Sequence, residues 1–191
     1  MTTATIFGTG NMGSAIASVF AAGGASVEHI DNANTSAVIN GDIVVLAVPY
    51  SSLKDIVATY AEQLSGKIVV DITNPVNFET FDSLVVPTGS SAAAELAAAL
   101  PASHVLKAFN TTFAGTLAAK MIGPVQTTVL IAGDDAAAKA TLAEAISAGG
   151  VGAIDAGSLG RAHELEAMGF LQLTLAAAEK VSWSGGFGIV R

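Results

Sequence analysis

The run Gly8-Thr9-Gly10-Asn11-Met12-Gly13 spaces three glycines as G-x-G-x-x-G, a pattern whose chemistry is the binding of a diphosphate by main-chain groups. The first glycine permits a tight turn, the second lets the backbone approach a pyrophosphate, and the third lets a helix pack on the preceding strand. Free N–H groups near Asn11 to Gly13 would then face the anion, with the positive end of the helix dipole behind them. Asp31 follows Gly10 by 31 − 10 = 21 positions, close to the ~20-residue offset at which a carboxylate holds the ribose 2′-hydroxyl of NAD. A turn or cap role for Asp31 is the competing reading. The first basic residue is Lys54, so the 28–40 segment offers no Arg or Lys to a 2′-phosphate. Asn32, Asn34, Thr35, Ser36 and His29 are the groups there that could hydrogen-bond one.

These residues need a strand-turn-helix to position them, and the pattern supplies it. Val- and Ile-rich runs alternate with Ala-rich stretches of helical period, as in repeated strand-helix units around a mainly parallel sheet. Strands are expected near residues 4–8, 26–30, 42–48, 67–72, 104–109, 127–132 and 151–155. Helices are expected near 11–22, 51–64, 90–100, 114–122, 135–148 and 161–180. Ile43-Val44-Val45-Leu46-Ala47-Val48 is continuously apolar, as a strand covered on both faces should be, and Pro49 ends it. The fold class is a Rossmann-type doubly wound α/β sheet with a short helical C-terminal extension. Residues 1–155 read as the dinucleotide-binding domain, and 156–191 as a helix and tail packed on it or on a dimer partner.

Composition narrows the function. Hydrophobic residues make up 51% and charged residues 13% of the 191 residues, which predicts a large core and little disorder. No apolar run reaches the roughly 18 residues of a membrane span, and the N-terminus has no signal-peptide pattern, so a soluble cytoplasmic protein is expected. Cysteine is absent, which excludes thiolate catalysis and Cys-based zinc sites. The net charge of −8 and scattered basic residues argue against nucleic acid. His29, His104 and His163 lack metal-ligand spacing, and no metal is expected. Glu164 and Glu166 on the last helix are expected to be solvated or to rim a dimer.

Four stretches in order carry a resemblance: Gly8 to Gly13, Ala47-Val48-Pro49-Tyr50, Asp71-Ile72-Thr73-Asn74-Pro75, and Lys107-Ala108-Phe109-Asn110-Thr111. The sequence resembles the deazaflavin (coenzyme F420) dependent NADP oxidoreductases and the related cytosolic domain of the transmembrane metalloreductases. The resemblance implies a homodimer that transfers a hydride between NADP(H) and a planar ring, a flavin or deazaflavin. By position, Gly8 to Gly13 would hold the pyrophosphate, and Ala47, Val48 and Pro49 would pack beside the ribose and nicotinamide. Thr73, Asn74, Pro75, Ala108, Phe109 and Asn110 would border the reacting ring. The sequence departs from the family in lacking a basic residue in the 28–40 segment, so NADP follows from the resemblance and NAD from Asp31.

Ligands of doubly wound sheets sit outside the carboxyl ends of the strands, where these same residues fall. Those ends carry no acid or base beyond Asp71 and Lys107, which alternation points elsewhere. Alcohol and hydroxyacid dehydrogenases need a group to move a hydroxyl proton, whereas ring-to-ring hydride transfer needs stacking, alignment and exclusion of water. The residues therefore suit a ring reductase with no assignable catalytic side chain. The competing reading is a dinucleotide-binding partner module without turnover. Hydroxyacid and pyrroline-carboxylate reductases fit less well, because only residues 156–191 could replace their helical substrate domain.

Overall fold

The computed structural model describes residues 2–31 and 36–190. Asn32, Asn34 and Thr35, named above as candidate phosphate or ribose contacts, lie outside the described residues.

Strand β1 (Thr3–Phe7) leads through the glycine turn into α1 (Asn11–Ala22), followed by β2 (Ser26–Ile30). The chain continues through β3 (Ile43–Leu46), a single 3-10 turn (Tyr50–Ser52), α2 (Leu53–Leu64), β4 (Ile68–Asp71), α3 (Ala92–Ala99) and β5 (His104–Lys107). Next come α4 (Ala114–Ala119), a hairpin of β6 (Met121–Ile122) and β7 (Val125–Gln126), then β8 (Thr128–Gly133), α5 (Ala136–Ala148) and β9 (Gly152–Gly157). A 3-10 turn (Leu159–Arg161) opens α6 (Ala162–Ala177). Seven strands pair in the order β2-β1-β3-β4-β5-β8-β9. All neighbours are parallel except β5 and β8, which run antiparallel, so this is a Rossmann-like sheet with one reversal.

The continuous apolar run of β3 has a direct cause. Ile43 and Val45 enter a core with Ile16, Phe20 and Leu142 on one face of the sheet. Val44 and Leu46 enter a second core with Tyr60, Leu64 and Leu96 on the other. A strand buried on both faces has no polar side to alternate with.

Several elements end short of the sequence expectation, β3 at Leu46, β5 at Lys107 and α6 at Ala177, and two differences have a visible local cause. The helix expected over 114–122 stops at Ala119, because Lys120 turns left-handed at φ 57°. The chain then forms the β6–β7 hairpin around Gly123-Pro124, a turn dipeptide that carried the signal. The helix expected from Ser90 starts at Ala92, since Ser91 is its N-cap and its hydroxyl accepts from Ala94 N at 3.0 Å. Ser91 is 2% exposed. Ser91→Ala is expected to lower unfolding free energy by about 1 kcal/mol, read as an earlier urea midpoint with unchanged slope.

Candidate functional site

The sheet turns its order at β1, with β2 on one side and β3 on the other, so a crevice opens where the loops after β1 and β3 part. The glycine turn sits there, and its three glycines do three different things. Gly8 holds φ at +102°, and a Cβ on it would collide with the Ala47 carbonyl oxygen. Gly13 lies against the carbonyl of Gly8 and the methyl of Ala47 in the same way. Gly10 has nothing within 4 Å of the place a Cβ would take, so its face of the turn is open. Gly10 is also the N-cap of α1 and supplies no side chain to the first amides, and no acidic residue lies in the first turn. Those amides need partners, and an anion fits them.

His29 Nδ1 lies 2.9 Å from the Gly8 carbonyl oxygen. A carbonyl only accepts, so Nδ1 carries the proton. Asp31 follows the end of β2 and is exposed. After β3, Ala47 and Val48 are half-buried beside the glycine turn and Pro49 is exposed.

A cavity of about 590 Å³ opens at the carboxyl ends of β4 and β5, against the start of α1. Met12, Ile72, Asn74, Asn110, Phe113 and Trp183 stand in its wall. The Phe113 and Trp183 rings are 5.0 Å apart, which brings the C-terminal tail to this end of the sheet. Of the residues expected around a reacting ring, Asn74, Phe109 and Asn110 line the cavity. Thr73, Pro75 and Ala108 are buried behind it. None of the lining residues is an Asp, Glu, His, Lys, Arg, Tyr or Cys.

The backbone at the β5 tip is bent sharply. Phe109 takes φ 62°, uncommon for an aromatic residue, and Asn110 N donates to Ala108 O at 2.8 Å. Asn110 Nδ2 donates to Asn74 Oδ1 at 2.9 Å and to Leu165 O at 2.8 Å. Asn74 Nδ2 returns a bond to Asn110 O at 2.9 Å. Helix α6 therefore backs the cavity wall. Its Gly169 makes room, because a Cβ there would meet the Asn74 and Asn110 amides. Gln172, 2% exposed, joins tail to wall: Nε2 donates to Thr111 O at 3.3 Å and Oε1 accepts from Phe187 N at 3.0 Å.

Asp71 and Lys107 do point away from the cavity, as alternation implies. Lys107 Nζ, with no exposed surface, donates to Asp71 Oδ2 at 2.8 Å, Thr73 O at 2.6 Å and Glu166 Oε1 at 2.7 Å. Glu166 also accepts from Ala92 N at 3.0 Å at the start of α3. This corrects the reading of Glu166 as solvated, since it is 0% exposed. It lies on the inward stripe of α6 with Leu165, Gly169 and Gln172, and that spacing was the available signal. Glu164, by contrast, is exposed and pairs with Arg161 at 2.9 Å. Burial pushes the Glu166 carboxyl above its ordinary range, while Lys107 pulls it down. Tyr50 is held protonated: its bond to Glu95 Oε2 at 2.6 Å is the largest cause raising it to about 12. It lies in a separate apolar groove between α2 and α3.

Among the described residues, no three His, Cys, Asp or Glu side chains gather as a metal site, and no helix is long and apolar enough to cross a membrane.

Comparison with known proteins adds the kinship. The profile of the family described as NADP oxidoreductase, coenzyme F420-dependent, matches residues 25–75. Over 137 residues the chain is 39% identical to Metalloreductase STEAP3 of Rattus norvegicus, covering 69% of this chain and 26% of that protein. Over 149 residues it is 32% identical to the F420-dependent NADP reductase of Methanocaldococcus jannaschii, covering 76% of this chain and 66% of that one. The chain thus spans about a quarter of the rat protein and just under two thirds of the archaeal one. A crystal structure of a proposed F420-dependent NADP reductase from Arthrobacter superposes over 100% of both chains with a TM-score of 0.84 at 24% identity, a likeness of fold.

Proposed function

We propose, on the premise that this chain belongs to the coenzyme F420-dependent NADP oxidoreductase family, that it transfers a hydride between a nicotinamide dinucleotide and a flavin or deazaflavin ring. The observation that carries this reading is the wall of the 590 Å³ cavity, which presents apolar and amide groups with the hydroxyl residues Thr112 and Ser184, and no Asp, Glu, His, Lys, Arg, Tyr or Cys. Such a wall offers no general acid or base that titrates near neutral pH to move a hydroxyl proton, but it suits two stacked rings, which supply the redox chemistry themselves. The chain's own part is to hold and shield. The first amides of α1 and the open face of Gly10 would hold the pyrophosphate, and Ala47, Val48 and Pro49 would flank the ribose. Asn74, Phe109 and Asn110 would border the ring. Met12, Ile72, Phe113 and Trp183 would keep water from the reacting carbons. Lys107 stays occupied beneath the wall, fixing the Thr73 carbonyl.

Purified protein mixed with NADPH and, in turn, a flavin and a deazaflavin should oxidise the nicotinamide. No oxidation above buffer with either acceptor overturns the reading. NADPH that binds tightly and never decays would instead identify a partner module without turnover, which the same untitratable wall would allow.

NADP is the dinucleotide the family points to, and the Asp31 carboxylate would narrow its margin over NAD. A carboxylate at the end of β2 favours a ribose hydroxyl and repels a phosphate. Asp31→Ser is expected to weaken NADH relative to NADPH by about 1 to 3 kcal/mol, measured by fluorescence titration of both forms. Equal effects on both would show that Asp31 does not read the ribose. The two-copy assembly that the resemblance implies belongs to the same proposal, as does a cytoplasmic location. Leu171 and Trp183, about half exposed, offer apolar surface for the assembly, and sedimentation velocity tests it.

A further inference from the structure

We propose that Asn110 Oδ1 is the specificity contact of the cavity, accepting a hydrogen bond from a planar amide- or imide-type N–H on the ligand. The inference rests on the hydride-transfer reading of the cavity and names what its rings must present there.

The Asn110 amide cannot be reversed. Its Nδ2 donates to Leu165 O and to Asn74 Oδ1, and a main-chain carbonyl accepts only. Asn74 is pinned in turn by its bond to Asn110 O. Gly169 lets both amides lie against α6. Oδ1 is what this arrangement leaves over: a buried acceptor with no donor among the described residues. Thr73 Oγ1, at the neighbouring strand tip, is likewise buried without a partner, so it does not serve Asn110.

Two costs meet at this point. An unpaired buried acceptor is unfavourable and uncommon in native structures, and the preceding residue, Phe109, holds a left-handed φ of 62°. Both lie at the tip of β5, in the residues lining the cavity. Strain and an unmet acceptor at the ligand end of a sheet are what a bound donor would redeem. Oδ1 is shielded from bulk water, so binding must be accompanied by a small shift of the amide or of the residues over it.

Two edges carry the required N–H: the carboxamide of nicotinamide and the imide of a flavin or deazaflavin pyrimidine. Wholly apolar ring acceptors offer no donor to Oδ1. The test uses wild-type protein and two analogue pairs, each followed by calorimetric binding and by turnover. One pair is a flavin and its N3-methyl derivative; the other is NADP⁺ and the analogue whose carboxamide is replaced by an acetyl group. One pair should differ by about 10- to 100-fold, and which pair does so identifies the source of the N–H. In Asn110→Ala that gap should shrink to within about threefold.

Equal treatment of both pairs by the wild type overturns the proposal, as does a gap that persists in Asn110→Ala. Should the variant fail to fold, the wild-type pairs decide alone. Discrimination in binding without any turnover would sink the hydride-transfer reading and leave this contact standing. Normal turnover without discrimination would do the reverse.

Discussion

Gly10→Ala is expected to raise the Kd for NADPH by about 100-fold or more, some 2.7 kcal/mol, while the melting temperature moves by no more than about 2 °C. The fold tolerates the methyl, because nothing lies within 4 Å of it and φ is −70°. The ligand does not tolerate it, because the second glycine of such a turn is where main chain and pyrophosphate must touch. Its neighbours behave differently. Gly8→Ala and Gly13→Ala would drive a methyl into the Ala47 and Gly8 carbonyls, so both lose stability together with binding. Calorimetry and thermal melts on the three variants separate the effects. Unchanged NADPH affinity in a folded Gly10→Ala protein would remove the diphosphate from this corner.

Lys107→Met should be the most damaging single change for stability, at about 3 to 5 kcal/mol near neutral pH. The ammonium uses all three donors, on Asp71, Thr73 O and Glu166. Methionine fills similar volume, supplies no donor, and leaves two carboxylates buried without their cation. The sign of the pH dependence follows from Glu166, whose carboxyl burial already raises above its unfolded value. A carboxyl raised on folding costs nothing below its unfolded pKa, and the cost grows as pH climbs to the folded one. Removing Lys107 takes away the pull in the other direction and widens that window upward. Urea unfolding should therefore show a deficit relative to wild type that is large at about pH 8 and much smaller at about pH 5. A deficit independent of pH would mean that lost packing, and not the buried charge, is responsible.

The glycine turn and the strand-helix alternation were legible in the sequence because each is a local pattern with a local cause. The apolar run of β3 was legible for the same reason: both faces are covered, and composition alone reports it. The reversal at β8 was not. It follows from the Lys120 turn and the Gly123-Pro124 hairpin, which read as part of a helix and its loop. The wall of the cavity was half legible. Asn74 and Asn110 fall at strand ends, but their backing comes from Leu165 and Gly169, 55 and 95 positions away (165 − 110 = 55, 169 − 74 = 95). Glu166 was misread because a charged residue on a terminal helix is usually solvated. The distant Lys107 and the amides of Ala92 and Ala93 make its burial tolerable.

At Gly169 the helix meets the two amides with no side chain to cushion the contact. Tilt or slide of α6 is therefore transmitted undamped to both loop tips, as through touching gears. Libraries meant to alter acceptor choice need not touch the cavity: substitutions on the outer surface of that helix, around Leu171, would reshape it from behind.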